Sequence, residues 1–251
     1  MNTIERGAAI LVTGASGGIG REIALQAARA GAVVGVHGSR AETVGKAVAE
    51  ISGEVPDARL VPLPGNFTDA GTVERVVGAL AHEAGRLDAV VHCAITGAPG
   101  THGWFEGMDA AQMGRHAQLV MGIFQELCFA ALPHLERQGG TIVGFGSDAG
   151  RFAAPRQSIT GGAYGGLYAF VRNLAVEIAA KKVRVHAISP TYVVDTPVFE
   201  RFGARAAKAI ERAGLGLPSP RDIAPLVLFL CSPQAGRITG QVISVNGGLN
   251  A

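Results

Sequence analysis

Thr13-Gly14-Ala15-Ser16-Gly17-Gly18-Ile19-Gly20 stands between the apolar run Ala8 to Val12 and a helical pattern from Arg21 to Ala30. A strand, a glycine turn and a helix start are what the pyrophosphate of a dinucleotide needs. Gly14 can take backbone angles closed to other residues, Gly18 lets the chain approach phosphates, and Gly20 lets helix and strand pack closely. The free amides of the first helical turn then face the anion. A glycine turn that serves packing alone would read the same in isolation, so the rest of the chain must decide.

The chain has 251 residues, 48% of them hydrophobic, a formal net charge of +2 and no dense Lys/Arg cluster. That length and composition support one α/β domain with a large core. The charge argues against nucleic acid or an acidic membrane surface as the partner and leaves a small molecule or another protein. Cys93, Cys128 and Cys231 are odd in number and widely separated in apolar surroundings. They are expected to be reduced core thiols, not a disulfide framework or a metal site. No signal peptide is expected from Met1 to Arg6, and no run is expected to span a membrane, so the reading is cytoplasmic.

Apolar runs and helical patterns alternate throughout, which predicts a doubly wound parallel sheet with helices on both faces. Strands are expected at Ala32 to His37, Leu60 to Leu63, Leu87 to His92, Thr141 to Phe145, Val183 to Ile188 and Ile238 to Asn246. The end of the second strand lies where an adenosine ribose would sit. An acidic residue there would accept from the ribose hydroxyl of NAD; Ser39 and Arg40 stand there instead and are suited to the extra phosphate of NADP. Arg40 would equally begin a helix on a solvated face. Asn66 and Phe67 are placed to border an adenine, and Thr68 or Asp69 to cap the next helix. Asp109 is expected to cap a long helix through Gln138, and Thr160 to Ala180 to form another. Thr196 to Leu217 reads as a partly helical flap whose Arg201, Arg205, Lys208 and Arg212 share a helix face. That face would meet acyl-CoA phosphates, an acidic partner or solvent.

With these marks, and with Ile238-Thr239-Gly240-Gln241 and Val245-Asn246-Gly247-Gly248 added, the chain resembles a short-chain dehydrogenase/reductase over essentially its whole length. The resemblance is greatest to 3-oxoacyl-thioester reductases. It implies a Rossmann-like sheet of seven strands, a tetramer built through two long helices and the carboxy-terminal strand, and an NAD(P) cofactor. The cofactor contacts implied are Gly14, Ser16, Gly18, Ile19, Gly20, Ser39, Arg40, Asn66, Phe67 and Ala94.

The catalytic positions depart from this pattern. Members of the family act through an asparagine, a serine, and a tyrosine followed four residues later by lysine. Counting from Ser147 and from the register of Phe170 to Ala175 keeps the serine but puts Thr160 at the tyrosine and Tyr164 at the lysine. The asparagine, expected within Leu119-Val120-Met121, is replaced by an apolar residue. The fourth strand ends in His92-Cys93-Ala94-Ile95, with isoleucine where glycine leaves room for the cofactor, and Pro190 is followed by Thr191. Hydride transfer to a ketone needs a proton donor, and a phenol with an ordinary pKa of about 10 serves when an ammonium lowers that value. Thr160 is far too weak an acid, and Tyr164 has no lysine beside it. Ser147 can still donate to a carbonyl oxygen. His92 and Cys93, adjacent at a strand end, point to opposite faces and read as structural.

Three functions are compatible with these residues. The first is a non-catalytic subunit paired with an active chain of the same fold in a hetero-oligomeric hydroxyacyl-CoA dehydrogenase. The second is an active NAD(P)H-dependent ketoreductase using Ser147 and Tyr164, as a homotetramer. The third is a dinucleotide-binding module whose occupancy alters a partner.

Overall fold

The computed structural model describes residues 4–94, 97–202 and 204–250. Seven parallel strands form one sheet in the order β3-β2-β1-β4-β5-β6-β7. They are β1 (Ala9–Thr13), β2 (Val33–Gly38), β3 (Arg59–Pro64), β4 (Ala89–His92), β5 (Gly140–Phe145), β6 (Val183–Pro190) and β7 (Val242–Val245). The helices are α1 (Gly18–Arg29), α2 (Ala41–Glu54), α3 (Thr72–Ala84), α4 (Ala110–Leu135), α5 (Ser158–Ile178), α6 (Ala204–Arg212) and α7 (Pro220–Cys231). The doubly wound sheet expected from the alternation is therefore present.

Both faces of the sheet are covered, which is why its strands read as continuous apolar runs. Side chains alternate along each strand. In β1, Ile10 and Val12 enter the core beneath α1, α2 and α7, while Ala9 and Leu11 enter the core beneath α3, α4 and α5. The strand order reverses between β1 and β4, and the carboxyl ends of those strands open a crevice there.

Several local expectations are corrected. Neither Thr68 nor Asp69 caps α3. Asn66 Oδ1 instead accepts from the Thr68 N–H at 3.1 Å, holding residues 66–69 in a turn, and the helix starts later, after Gly71 at φ 74°. The final strand is Val242–Val245, shorter than expected because Gly240 takes φ 69° at its approach and interrupts the extended backbone. Asp109 does cap α4, its Oδ1 accepting from the Ala111 N–H at 3.0 Å. By length and composition α4 is apolar enough to cross a membrane, contrary to expectation, but its Phe124, Leu127, Ala131 and Leu135 are packed in the core. Ile95 lies outside the described residues, as do the Arg201 and Arg205 side chains, so the four-cation face is not described. Lys208 and Arg212 are exposed on α6. The three cysteines are free, as expected.

Four histidines, His37, His92, His116 and His186, are buried, and burial lowers the pKa of each, which makes the fold acid-sensitive. Burial pulls the imidazole pKa of His37 and His186 from about 6.5 to about 4, and that of His92 to about 3. Each is neutral in the fold, whereas the unfolded chain takes up a proton below pH of about 6.5. Their contribution is therefore complete above that pH and is lost as pH falls toward 4, at up to about 1.4 kcal/mol per unit for each ring. The melting temperature is expected to fall steadily between pH 6.5 and 4.5, and His186→Leu to make that fall shallower. A melting temperature flat across that range would contradict this.

Candidate functional site

The glycine turn after β1 has the form its sequence requires. Gly14 sits at φ +71°, and a Cβ on it would come within 2.8 Å of the Ala94 nitrogen; one on Gly20 would lie 2.4 Å from the Gly14 oxygen. Gly17 leads into α1 with no capping side chain, and the first turn of α1 has no acidic residue, so its amides are left for an anion. Thr13 and His92 brace this turn from below, Thr13 Oγ1 lying 2.8 Å from His92 Nδ1 and accepting from the Ala94 N–H at 3.3 Å. His92 packs toward Phe124 and Cys93 into the opposite core. These two neighbours do face apart. Burial pushes the Cys93 thiol far up, which makes it inert as a nucleophile.

On one side of the turn lies a cavity of about 280 Å³, lined by Gly14, Ser16, Ser39, Asn66, Phe67 and Ala94 among others. Phe67 is stacked on His37, with ring centroids 4.0 Å apart. His37 Nε2 lies 2.9 Å from the Gly65 carbonyl oxygen, which can only accept, so this nitrogen carries the proton of the neutral ring. Its Nδ1 is then an acceptor, and it is buried with no partner among the described residues. Ser39 is on the cavity wall, whereas Arg40 stands outside it at the start of α2.

On the other side, a cavity of about 380 Å³ is lined by Gly18, Ile19, Gly20, Phe145, Tyr164, Pro190, Thr191, Val193, Thr196 and Val198 among others, with no charged side chain on its wall among the described residues. Tyr164 is 8% exposed, and burial, reinforced by neighbouring Tyr168, pushes its phenol well above its ordinary value. That is the opposite of what a lysine would do there. Thr191 does add its side chain to this wall.

Ser147 and Thr160 are not brought to this cavity. Ser147 lies two residues beyond β5 and its Oγ accepts from the Ala149 N–H at 3.3 Å, while its carbonyl accepts from Tyr168 Oη at 2.8 Å. Thr160, nearly buried in the first turn of α5, has its Oγ1 3.2 Å from His102 Nε2. The asparagine candidates Leu119, Val120 and Met121 lie in a π-helical turn, Gln118–Gly122, inside α4. The loop carrying His102 is tied down by Thr101, whose Oγ1 donates to the Ala98 carbonyl and lies 2.7 Å from His116 Nδ1.

The sequence reading missed three residues. His102 meets Thr160 across 58 positions, which no local pattern reveals. His37 looked like the end of a strand. Asp148, next to Ser147, is 3% exposed, and its Oδ1 accepts from Ser189 and Ser244 while its Oδ2 accepts from Asn246 and Asn250. A single acidic residue inside an apolar stretch was the available signal.

A family model described as enoyl-(acyl carrier protein) reductase matches residues 14–250. The 3-oxoacyl-(acyl-carrier-protein) reductase FabG of Thermotoga maritima is 30% identical, covering 97% of this chain and 98% of its own. Among solved structures, a short-chain type dehydrogenase/reductase from Mycobacterium ulcerans superposes with a TM-score of 0.91 at 26% identity, covering 97% of this chain and 90% of its own. A 7α-hydroxysteroid dehydrogenase complexed with NADH and 7-oxo glycochenodeoxycholic acid superposes with a TM-score of 0.89 at 27% identity, covering 98% and 96%.

Proposed function

The chain belongs to the short-chain dehydrogenase/reductase family, and from that membership we propose that it serves as a non-catalytic subunit paired with an active chain of the same fold. The observation that carries the reading is Thr160 at the proton donor's position, bonded to His102, with the one phenol on the cavity wall buried and held protonated. Among the described residues, a ketone reduced here would find no phenol activated by an ammonium to protonate its developing alkoxide. Selective loss supports a subunit role: the sheet and long helices are intact while tyrosine, lysine and asparagine are gone. Phe129 on α4 and Val176 on α5 are more than four-fifths exposed, and β7 is an edge strand with half-buried side chains, which suits faces awaiting another chain.

The family's cofactor fits in one half. The glycine turn and the cavity at Ser16, Ser39 and Asn66 suit an adenosine and its pyrophosphate. Among the described residues, the nicotinamide side has no cation to hold the second ribose, with Tyr164 in place of lysine. The pattern is similar to the inactive subunit of the heterotetrameric 2-(hydroxy(phenyl)methyl)succinyl-CoA dehydrogenase of anaerobic toluene degradation, in which the partner chain oxidises a hydroxyacyl-CoA.

The test is the native mass and composition of the assembly captured through a tag on this chain in its own cells. A mixed oligomer containing a second dehydrogenase with tyrosine and lysine in place is expected. A homotetramer would overturn the subunit reading and favour the active ketoreductase.

A further inference from the structure

A further cavity, of about 620 Å³, lies at the opposite end of the sheet from the glycine turn. Ala89, Gly140 and Val183, the first residues of β4, β5 and β6, line it, so it opens at the amino ends of the strands and not at the crevice of the carboxyl ends. Its charged lining residues are Glu5, Arg86, Asp88, Lys182, Arg184 and Arg237. Asp88 is committed: it takes two bonds from Arg86, the Ala9 N–H at 2.7 Å and the Gln138 amide at 3.0 Å. That pair is neutral and structural. Arg184 is held differently, giving three bonds to the main-chain carbonyls of Leu230, Ser232 and Ala235 at the end of α7 and none to a carboxylate. These bonds cover the negative end of α7, and two of the five guanidinium donors lie outside them. Burial pulls the Arg184 pKa below its ordinary value, the mark of a cation short of negative charge. Lys182 and Arg237 are exposed and form no ion pair among the described residues, whereas the neighbouring Lys181 is paired with Glu136 at 2.6 Å. The backbone of Lys182 is fixed, its carbonyl accepting from the Gly140 N–H at 3.2 Å. Glu5 is the one carboxylate on this wall outside an ion pair among the described residues. Thr239 Oγ1 accepts from the Val185 N–H and keeps its own proton to donate, while Ile4, Ile10, Val183 and Ile238 supply an apolar side.

We propose that this cavity binds a small organic phosphate ester with an apolar body, the phosphate against Lys182, Arg184 and Arg237 and the body against Ile4, Ile10, Val183 and Ile238. Three cations stand against the single free carboxylate of Glu5, and a dianion balances that surplus where a monocarboxylate leaves part of it unmet. A phosphate spreads its charge over three acceptor oxygens, which suits donors arriving from separate side chains. The site is remote from the dinucleotide cleft, so the two can be filled together, and the proposal stands or falls separately from the subunit reading.

Calorimetric titration of the full chain with phenyl phosphate, inorganic phosphate and phenol tests it, at about pH 8, where the phosphate is doubly ionised. Phenyl phosphate is expected to bind at least about fivefold more tightly than inorganic phosphate, because its ring leaves water for the apolar side. Phenol, lacking the charge, should give no measurable binding. Lys182 and Arg237 are exposed and without ion pairs, so the double variant Lys182→Gln, Arg237→Gln should keep its melting temperature while binding phenyl phosphate at least about tenfold more weakly. Glu5→Gln removes the opposing carboxylate and should tighten phenyl phosphate about threefold, a gain that a misfolded chain would not give. Binding that survives the double substitution would place the anion elsewhere, at the amides of α1 for example, and would overturn the proposal. No heat with phenyl phosphate, equal affinity for the two phosphates, or weaker binding in Glu5→Gln would overturn it as well.

Discussion

Asp148→Ala is expected to cost about 4 kcal/mol of stability and to lower the melting temperature by about 10 °C. Each carboxyl oxygen of Asp148 accepts two hydrogen bonds: Oδ1 from Ser189 Oγ at 2.9 Å and Ser244 Oγ at 3.0 Å, Oδ2 from Asn246 Nδ2 at 2.7 Å and Asn250 Nδ2 at 3.1 Å. Ser189 and Asn246 are themselves buried. Truncation strands these donors away from water, and each stranded donor costs about 1–3 kcal/mol. Asp148→Asn keeps the volume and can turn its Oδ1 toward the amides of Asn246 and Asn250 and its NH2 toward the hydroxyls of Ser189 and Ser244, which also accept, so it should recover much of the loss. Urea unfolding of both variants checks this, and a loss below about 1 kcal/mol in Asp148→Ala would show that the donors find other partners.

The second large effect is on turnover. Given NADH or NADPH and a ketone, the isolated chain should run at least about 10³-fold slower than an active relative. Removal of a positioned general acid accounts for about 10² to 10⁴. Tyr164→Phe should leave the residual rate unchanged, because that hydroxyl is buried and its proton held more firmly than in an ordinary phenol. A rate within tenfold of an active relative, abolished by Tyr164→Phe, would establish the ketoreductase instead. Thr160→Tyr alone should restore nothing, since His102 stands 3.2 Å from the Thr160 hydroxyl, where the longer side chain must pass.

The fold was legible because buried parallel strands read as unbroken apolar runs and because Gly14 and Gly20 occupy positions that a Cβ would close. Element ends were less so. The turn at Asn66 competes with the helix that Thr68 or Asp69 would have capped, and local propensity does not say which prevails. At the site, counting along the chain placed Thr160 and Tyr164 at the family's tyrosine and lysine positions. It could not show that Ser147 points its hydroxyl back to the Ala149 amide, or that Thr160 is bonded to His102. Those facts depend on loops whose partners lie far away in sequence. The unlike chemistry of the two cleft halves was equally hidden, because each wall gathers side chains from several strands and helices.

Asp148 also bears on how the protein is made. Its four donors lie 41, 96, 98 and 102 residues downstream. A ribosome adding about 5–20 residues per second leaves this carboxyl without its partners for several seconds after it is synthesised. The middle of the nascent chain therefore holds a water-seeking group that opposes early collapse around β5. Burial there becomes favourable once residues 244–250 have emerged, which delays closure of the sheet until nearly all of its strands are present.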